Sequence, residues 1–166
     1  MIELVLGGVR SGKSRYAESV VKTTPGPWGY IATGRAWDEE MRHRIARHRA
    51  DRGEGWITIE EPLDLVGALQ KAKGHPVLVD CLTLWLTNLL MEERDIASEK
   101  ARLLEMLSQR VDLTVLVGNE VGLGIVPENA LARRFRDESG LLHQAVASVA
   151  DRVTLCVAGL PVVVKQ

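Results

Sequence analysis

The residues with the clearest chemical meaning lie near the amino terminus. The run Gly7, Gly8, Val9, Arg10, Ser11, Gly12, Lys13 and Ser14 fits the pattern G-x-x-x-x-G-K-[ST] between a strand-like run and a helix-forming segment. Glycines let such a loop approach phosphate closely, so that backbone N–H groups and the positive end of the following helix face the anion. We expect Lys13 to neutralise β- and γ-phosphate charge and Ser14 to bind Mg²⁺. The run therefore predicts a nucleotide site of the P-loop type.

Carboxylates follow two other strand-like runs. Asp80 ends the apolar run 77–79, where P-loop proteins place a second acidic residue that holds the metal directly or through water. An aspartate at a strand-to-helix junction is also a common helix N-cap, and the two roles are compatible. Glu60 and Glu61 precede Pro62. A carboxylate there could accept a ribose or base donor, although an exposed loop pair explains it equally well.

A second candidate for chemistry lies in the charged segment 38–52. Arg44, His48 and Arg52 are spaced i, i+4 and i+8, which places an imidazole between two guanidinium groups on one helix row. Flanking cations favour a neutral imidazole and attract phosphate, and a neutral ring nitrogen can attack phosphorus. The alternative is a solvated, ion-paired helix face, and spacing alone favours that alternative.

The remaining histidines do not predict a metal site. His43, His75 and His143 show no metal-ligand spacing with one another or with Cys81 and Cys156, so zinc is not expected. Both cysteines lie among apolar residues, and one possible pair makes no disulfide framework. We therefore interpret them as buried free thiols in a reducing compartment.

A glycine-rich loop at 118–127 follows another strand end, where ligands bind in open α/β sheets. Arg133, Arg134 and Arg136 with Asp137 form a basic cluster soon after it. Surface salt bridges and contacts to a phosphate or carboxylate explain this cluster equally well.

Apolar runs alternate with helix-forming segments along the chain. Strands are predicted at 2–6, 30–33, 56–59, 76–79, 114–117, 153–157 and 162–165. Helices are predicted at 14–22, 38–52, 63–73, 82–110 with an interruption at 92–95, and 129–149. A turn is expected at Gly159-Leu160-Pro161. Fully apolar strands that alternate with helices predict an α/β fold with a mostly parallel sheet covered on both faces.

Composition narrows the class of protein. The chain has 166 residues, enough for one ordinary core, so we expect a single domain over residues 1–166. A formal net charge of -1 and only four Trp, two Tyr and one Phe argue against a nucleic-acid partner. No apolar stretch approaches the roughly 18 residues that a bilayer crossing needs, and no basic signal sequence is evident, so we expect a cytoplasmic protein without a membrane span.

Taken together and in order, the motifs resemble one family, the bifunctional adenosylcobinamide kinase/adenosylcobinamide-phosphate guanylyltransferases. The segments that carry the resemblance are 7–14, 30–33, 40–41, 44–45 with His48 and Arg52, 80–85 with 88–90, 119–122 with 124–127, Arg133 with 135–137, and 158–161. They span essentially the whole chain.

The resemblance implies two reactions of coenzyme B12 nucleotide-loop assembly. Adenosylcobinamide is phosphorylated on its aminopropanol hydroxyl, and GMP is then transferred from GTP to that phosphate. In the family, a histidine in R-I-x-x-H-x-x-x-R carries the GMP, and this position is His48 here. The expected catalytic residues are thus His48 and Lys13. The family also implies a P-loop NTPase-like sheet with a short antiparallel edge, made here by the last two strands, and a homotrimer.

The expected ligands are GTP, ATP, adenosylcobinamide and its phosphate, with Mg²⁺ as cofactor. The predicted nucleotide-binding residues are Gly7 to Ser14, Ala32, Thr33, Gly34, Arg44, Arg49, Arg52, Glu61 and Asp80, of which Ser14 and Asp80 would bind the metal.

Two positions depart from the family pattern. Gly118 stands where a side-chain hydroxyl is expected before Asn119-Glu120, and His143 stands where Asn often precedes Gln144. Both concern fine substrate contacts and leave the reaction unchanged. The competing hypotheses are a monofunctional P-loop small-molecule kinase and a non-catalytic nucleotide-dependent regulatory module.

Overall fold

The computed structural model describes residues 1–35, 39, 43 and 53–166. Apart from Glu39 and His43, the predicted helix at 38–52 lies outside this described part of the chain.

The described residues form one seven-stranded sheet. Its strands are β1 (Ile2–Gly7), β2 (Trp28–Ala32), β3 (Trp56–Glu60), β4 (Val77–Asp80), β5 (Thr114–Asn119), β6 (Arg152–Val157) and β7 (Leu160–Lys165). Their order across the sheet is β3-β2-β4-β5-β1-β6-β7. All neighbours pair in parallel except β6 and β7, which are antiparallel. The predicted mostly parallel sheet with an antiparallel edge is confirmed.

Five helices accompany the sheet in the described residues. They are α1 (Lys13–Val21), α2 (Leu65–Lys71), α3 (Leu82–Met91), α4 (Ile96–Gln109) and α5 (Ala130–Val149). The predicted interruption of the segment 82–110 is confirmed as the break between α3 and α4. Side-chain caps start three of the helices, since Asp64, Asp95 and Asn129 each accept a backbone N–H of the first turn.

The core lies on both faces of the sheet. Leu4 and Val5 of β1 are both fully buried but belong to different clusters, because successive side chains of a strand point to opposite faces. Ala17 and Val21 of α1 pack in the cluster of Val5, whereas the apolar faces of α2, α3, α4 and α5 pack in that of Leu4. Helices therefore cover both faces, as expected for strands that are apolar throughout.

The turn between the last two strands is formed by Ala158 and Gly159, and not by Gly159 to Pro161 as predicted. Ala158 and Gly159 have φ angles of 52° and 81°, and Leu160 already pairs with Val157 in the hairpin. Two-residue hairpin turns of this kind need positive φ at both central residues. Proline cannot adopt positive φ, so Pro161 lies in the edge strand and not in the turn.

No helix in the described part of the chain combines the length and apolarity that a bilayer crossing requires.

The two departures from the family pattern are in direct contact. A Cβ placed on Gly118 of β5 would lie 2.5 Å from Nε2 of His143 and 2.9 Å from Cδ2 of Leu6. The imidazole of His143 thus fills the space that a side chain at position 118 would need. Burial of this ring lowers the pKa of His143, and the nearby charge of Glu120 opposes that shift. The two residues therefore form one coupled packing feature between β5 and α5.

We predict that Gly118→Ser alone lowers the free energy of unfolding by about 1–3 kcal/mol, since overpacking forces buried neighbours to move. His143→Asn in the same chain should recover most of this loss, because the smaller side chain vacates the contested space. Urea unfolding of the four members of a double-mutant cycle, followed by tryptophan fluorescence, measures the coupling. If Gly118→Ser lowers the free energy of unfolding equally in the wild-type and His143→Asn backgrounds, the two positions are not coupled.

Candidate active site

The loop between β1 and α1 is built as an anion cradle. Gly12, with φ 90°, is the N-cap residue of α1, and the N–H of Tyr16 donates to its carbonyl at 3.0 Å. Lys13 folds back so that Nζ donates to the carbonyl of Gly8 at 3.1 Å, which holds the ammonium over the loop. Backbone N–H groups of the first helical turn and one cation thus converge on the same space.

Two loop glycines are required by their surroundings. A Cβ on Gly7 would collide with the Ser11 hydroxyl and lie 2.9 Å from the carbonyl of Cys156. A Cβ on Gly12 would lie 3.0 Å from the Cα of Gly159, and the N–H of Gly159 donates to the Ser11 carbonyl at 2.9 Å. The β6–β7 turn therefore braces the P-loop from behind. This support joins residues about 150 positions apart in the chain, and no local sequence pattern signals it.

The opposite side of the loop is open. A Cβ on Gly8 would meet nothing within 4 Å among the described residues, and Val9 is 81% exposed. On the braced side, the buried Ser11 hydroxyl has no hydrogen-bond partner in the described part of the chain.

Asp80 lies at the carboxyl end of β4, in register with Ala32 of β2. Its Oδ2 accepts the Tyr30 hydroxyl at 2.5 Å, which orients the carboxylate. The N-cap residue of α3 is Cys81, so the alternative of Asp80 as a helix N-cap is wrong. Helix α1 packs against both β4 and β5. Its first turn, which includes Ser14, therefore lies on the face of the sheet that carries Asp80.

Thr33 ties the ends of β2 and β4 together. Its hydroxyl accepts the N–H of Cys81 and donates to the carbonyl of Cys81, both at 2.8 Å, and its own N–H donates to the carbonyl of Asp80 at 3.1 Å. Asn88 of α3, which is 1% exposed, donates to the carbonyls of Thr33 at 2.7 Å and Pro62 at 2.9 Å. Thr33 is thus held by four hydrogen bonds at the strand edge beside Asp80.

Sequence reasoning assigned no role to Asn88 or Thr83. Thr83 accepts the N–H of Asn119 at 2.7 Å, which fixes the end of β5. Both polar residues are buried in the mostly apolar helix α3, and that contrast is the signal that could have identified them.

Glu61 reaches the same edge through a backbone bond from its N–H to the carbonyl of Ala32 at 3.0 Å. Its Oε1 accepts the N–H groups of Leu63 and Asp64 at 3.1 and 3.0 Å, so one carboxylate oxygen organises the turn before α2. The predicted nucleotide contact of Glu61 stays a prediction.

The two cysteine thiols are buried and free. Burial, assisted by the charge of Asp80, raises the pKa of Cys81 to about 11. Burial also raises the pKa of Cys156, against the opposing charge of Lys13. Neither thiol ionises readily at neutral pH, which fits a packing role and not a nucleophilic one.

Two guanidinium groups of the basic cluster on α5 bond to backbone carbonyls of the preceding loop. The predicted contact of the cluster with a phosphate or carboxylate stays a prediction. Arg136 donates to the carbonyl of Gly122 at 2.6 Å, and Arg133 donates to the carbonyls of Pro127 and Glu128 at 3.0 and 2.5 Å. Both guanidinium groups therefore fasten the loop after β5 to the helix.

His48, Arg44, Arg49 and Arg52 lie outside the described residues, so their predicted roles stay predictions. Within the described part, His43 pairs with Glu39 at 3.6 Å and is 77% exposed.

Comparison with known proteins identifies the family. The family model for cobinamide kinase / cobinamide phosphate guanyltransferase matches residues 3–164. The bifunctional adenosylcobalamin biosynthesis protein CobP of Pseudomonas aeruginosa is 50% identical over 169 residues, covering 99% of this chain and 98% of the relative. The bifunctional adenosylcobalamin biosynthesis protein CobU of Salmonella typhimurium is 41% identical over 182 residues, covering 99% of this chain and 100% of the relative.

Solved structures share the fold at low identity. A Pyrococcus horikoshii protein, PH0250, aligns with a TM-score of 0.54 at 13% identity, covering 99% of this chain and 86% of that one. The flagellar accessory protein FlaH of Methanocaldococcus jannaschii aligns with a TM-score of 0.51 at 12% identity, covering 99% of this chain and 78% of that one.

The P-loop, the sheet edge that carries Asp80 and the match along nearly the whole chain lead to one conclusion. This chain belongs to the cobinamide kinase / cobinamide phosphate guanyltransferase family, whose members are transferases of adenosylcobalamin biosynthesis.

Proposed function

We propose that this protein phosphorylates adenosylcobinamide and then transfers GMP from GTP to the resulting phosphate, with His48 as the GMP carrier. The observation that carries this proposal is the P-loop, since Lys13 and the first turn of α1 converge beside the edge that holds Asp80. The kinase step uses GTP or ATP and the guanylyltransferase step uses GTP.

In the kinase step, the aminopropanol oxygen attacks the γ-phosphorus, the nucleoside diphosphate leaves and the hydroxyl proton passes to solvent. The transition state spreads negative charge over the phosphoryl oxygens and the leaving group. Lys13 and the N–H groups of the loop are pre-positioned to receive that charge, so the protein contributes positioning and electrostatic stabilisation.

In the guanylyltransferase step, a neutral ring nitrogen of His48 attacks the α-phosphorus of GTP. The bond to pyrophosphate breaks and a phosphoramidate-linked GMP remains on the ring. A phosphate oxygen of cobinamide phosphate then attacks the same phosphorus and releases the imidazole. Arg44, Arg49 and Arg52, close to His48 in the sequence, would attract the phosphates and favour the neutral ring.

The donor set fits Mg²⁺. The Ser14 hydroxyl and the Asp80 carboxylate are hard oxygen ligands of the kind that Mg²⁺ prefers, and they share one side of the sheet edge. When bound with the nucleotide, the ion would neutralise phosphate charge. The Tyr30 hydroxyl bonds to Oδ2 of Asp80, so Oδ1 would be the oxygen that serves this role.

We also propose that the active form is a homotrimer. The edge strand β7 supports association, because Leu160, Val162 and Val164 are 68%, 51% and 65% exposed on a strand whose outer edge has no partner among the described strands. An exposed apolar edge strand of this kind invites pairing with another copy.

The first test concerns the P-loop. Lys13→Ala should lower kcat/KM of both reactions by about 100-fold or more, since the loop loses the ammonium held over it by the Gly8 carbonyl. Nucleotide binding should also weaken, whereas circular dichroism and the unfolding midpoint should stay near the wild-type values. The matched control is Lys22→Ala at the far end of the same helix. Near-normal turnover in folded Lys13→Ala protein would remove the P-loop from the mechanism.

The second test concerns the carrier. Protein incubated with GTP should retain label from the α-phosphate but not from the γ-phosphate, in an acid-labile and alkali-stable bond typical of a phosphoramidate. His48→Asn should lose this label while kinase activity survives, because phosphoryl transfer to a hydroxyl needs no covalent enzyme intermediate. His43→Asn is the matched control and should keep the label.

Label retained by His48→Asn would disprove the assignment of the carrier. A monofunctional kinase would acquire no α-label, and a non-catalytic module would turn over no cobinamide at all.

The third test concerns assembly. Light scattering should give the mass of a trimer, and Val164→Glu should lower that mass because a charge on the apolar edge opposes its burial. Val111→Glu, at an 87% exposed apolar position in the loop before β5, should leave the mass unchanged. A fully active monomer at assay concentration would refute the proposed trimer.

A further inference from the structure

A cleft of about 720 Å³ lies between α5 and the loop that follows β5. Helix α5 contributes Arg133, Arg136, Asp137, Gly140, Leu141 and Gln144 to its wall, and the loop contributes Gly122 and Val126. A volume of this size is typical of small-molecule sites. The loop leaves β5 next to the P-loop, because the N–H of Glu120 donates to the carbonyl of Gly7 at 3.0 Å. The cleft is therefore a second, separate recess at the same carboxyl edge of the sheet as the P-loop, on the face that α5 covers.

Gly140 is the unusual residue of this wall. It lies in the interior of a 20-residue helix, where glycine is less stable than alanine because it loses more backbone entropy on folding. A Cβ built on Gly140 would meet nothing within 4 Å among the described residues. Packing within the described chain thus gives no reason for glycine here. The absent side chain leaves room in the cleft for a ligand to approach the helix closely.

The polar groups of the cleft include both donors and acceptors. Arg133 and Arg136 each bond to loop carbonyls through one terminal nitrogen, which leaves further N–H donors on each guanidinium. Asp137 supplies a carboxylate acceptor, and the Gln144 amide both donates and accepts. This mixed set is suited to primary amides, whose oxygens accept and whose nitrogens donate.

The remaining wall is aliphatic. Leu141 is 50% exposed and Val126 is 61% exposed, and the described lining residues include no aromatic side chain on which a nucleobase could stack. The cleft is therefore better matched to an amide-fringed aliphatic ligand than to a second nucleotide.

We propose that this cleft docks the corrin ring of cobinamide and of cobinamide phosphate. Cobinamide is a macrocycle whose rim carries methyl groups and primary amides, which are the groups that the lining complements. Amide oxygens accept from Arg133 and Arg136, amide nitrogens donate to Asp137, and the methyl-bearing edge packs over Gly140 and against Leu141. The proposal rests on the proposed function, because it takes cobinamide as the acceptor.

Binding of dicyanocobinamide, followed by its visible absorption, tests the proposal. Gly140→Leu should raise the Kd for dicyanocobinamide by about tenfold or more, since the new side chain occupies the space that the ring edge needs. Gly140→Ala should weaken binding less, with an unfolding midpoint at or above the wild-type value, because alanine stabilises a helix interior. Both variants should bind GTP within about twofold of wild type, since the P-loop is untouched. Ser148→Leu, at an exposed site of α5 outside the cleft, is the matched control and should behave as wild type.

Dicyanocobinamide binding by Gly140→Leu that equals wild type would overturn the proposal. So would a selective loss of GTP binding, which would make the cleft a nucleotide subsite. A change of mass in light scattering with unchanged dicyanocobinamide binding would instead make it an interface between copies and would equally overturn it. If the wild-type protein neither binds nor turns over any cobinamide, the proposed function itself fails. Tight binding of dicyanocobinamide by wild type and variants alike refutes only the assignment of this cleft as its binding site.

Discussion

The parallel pairing of β1 between β5 and β6 is the constraint on which the rest of the site depends. Parallel strands end at the same edge of a sheet, so Gly7, Asn119 and Cys156 lie side by side although they come from distant parts of the chain. The pairing of β2 with β4 brings Ala32 and Asp80 to the same edge. Because the sheet sets these positions, the P-loop and Asp80 lie at the same edge although their segments are far apart in the sequence.

Buried polar side chains make this edge rigid. Thr33, Asn88 and Thr83 bond to backbone groups of loops that would otherwise have free N–H and C=O groups inside the protein. Such buried groups are costly when unpaired and hold one defined geometry when paired. The loops at the carboxyl edge can therefore present phosphate-binding groups in fixed positions, which is what catalysis by pre-organised charge requires.

The P-loop and the cleft on α5, which lie on either side of the carboxyl end of β5, have different chemistry. On one side, the P-loop offers backbone N–H groups, Lys13 and the helix N-terminus, which suit a polyphosphate. On the other, the cleft on α5 mixes guanidinium, carboxylate, amide and aliphatic groups around Gly140. A transferase that joins a nucleotide to a large acceptor needs two such recesses close together. The hydrogen bond from the N–H of Glu120 to the carbonyl of Gly7 keeps the start of the cleft loop next to the P-loop.

Local pattern determined much of this protein. The P-loop run and the alternation of apolar strands with helices predicted the fold and the nucleotide site, because backbone conformation, helix caps and strand burial depend on nearby residues. Only tertiary structure decided that Gly159 braces Gly12, that Tyr30 orients Asp80, and that Gly118 and His143 form one feature. These contacts join residues far apart in sequence, where neither spacing nor periodicity carries a signal. The chemistry of the site was therefore determined by sequence, and its geometry by the packing of the sheet.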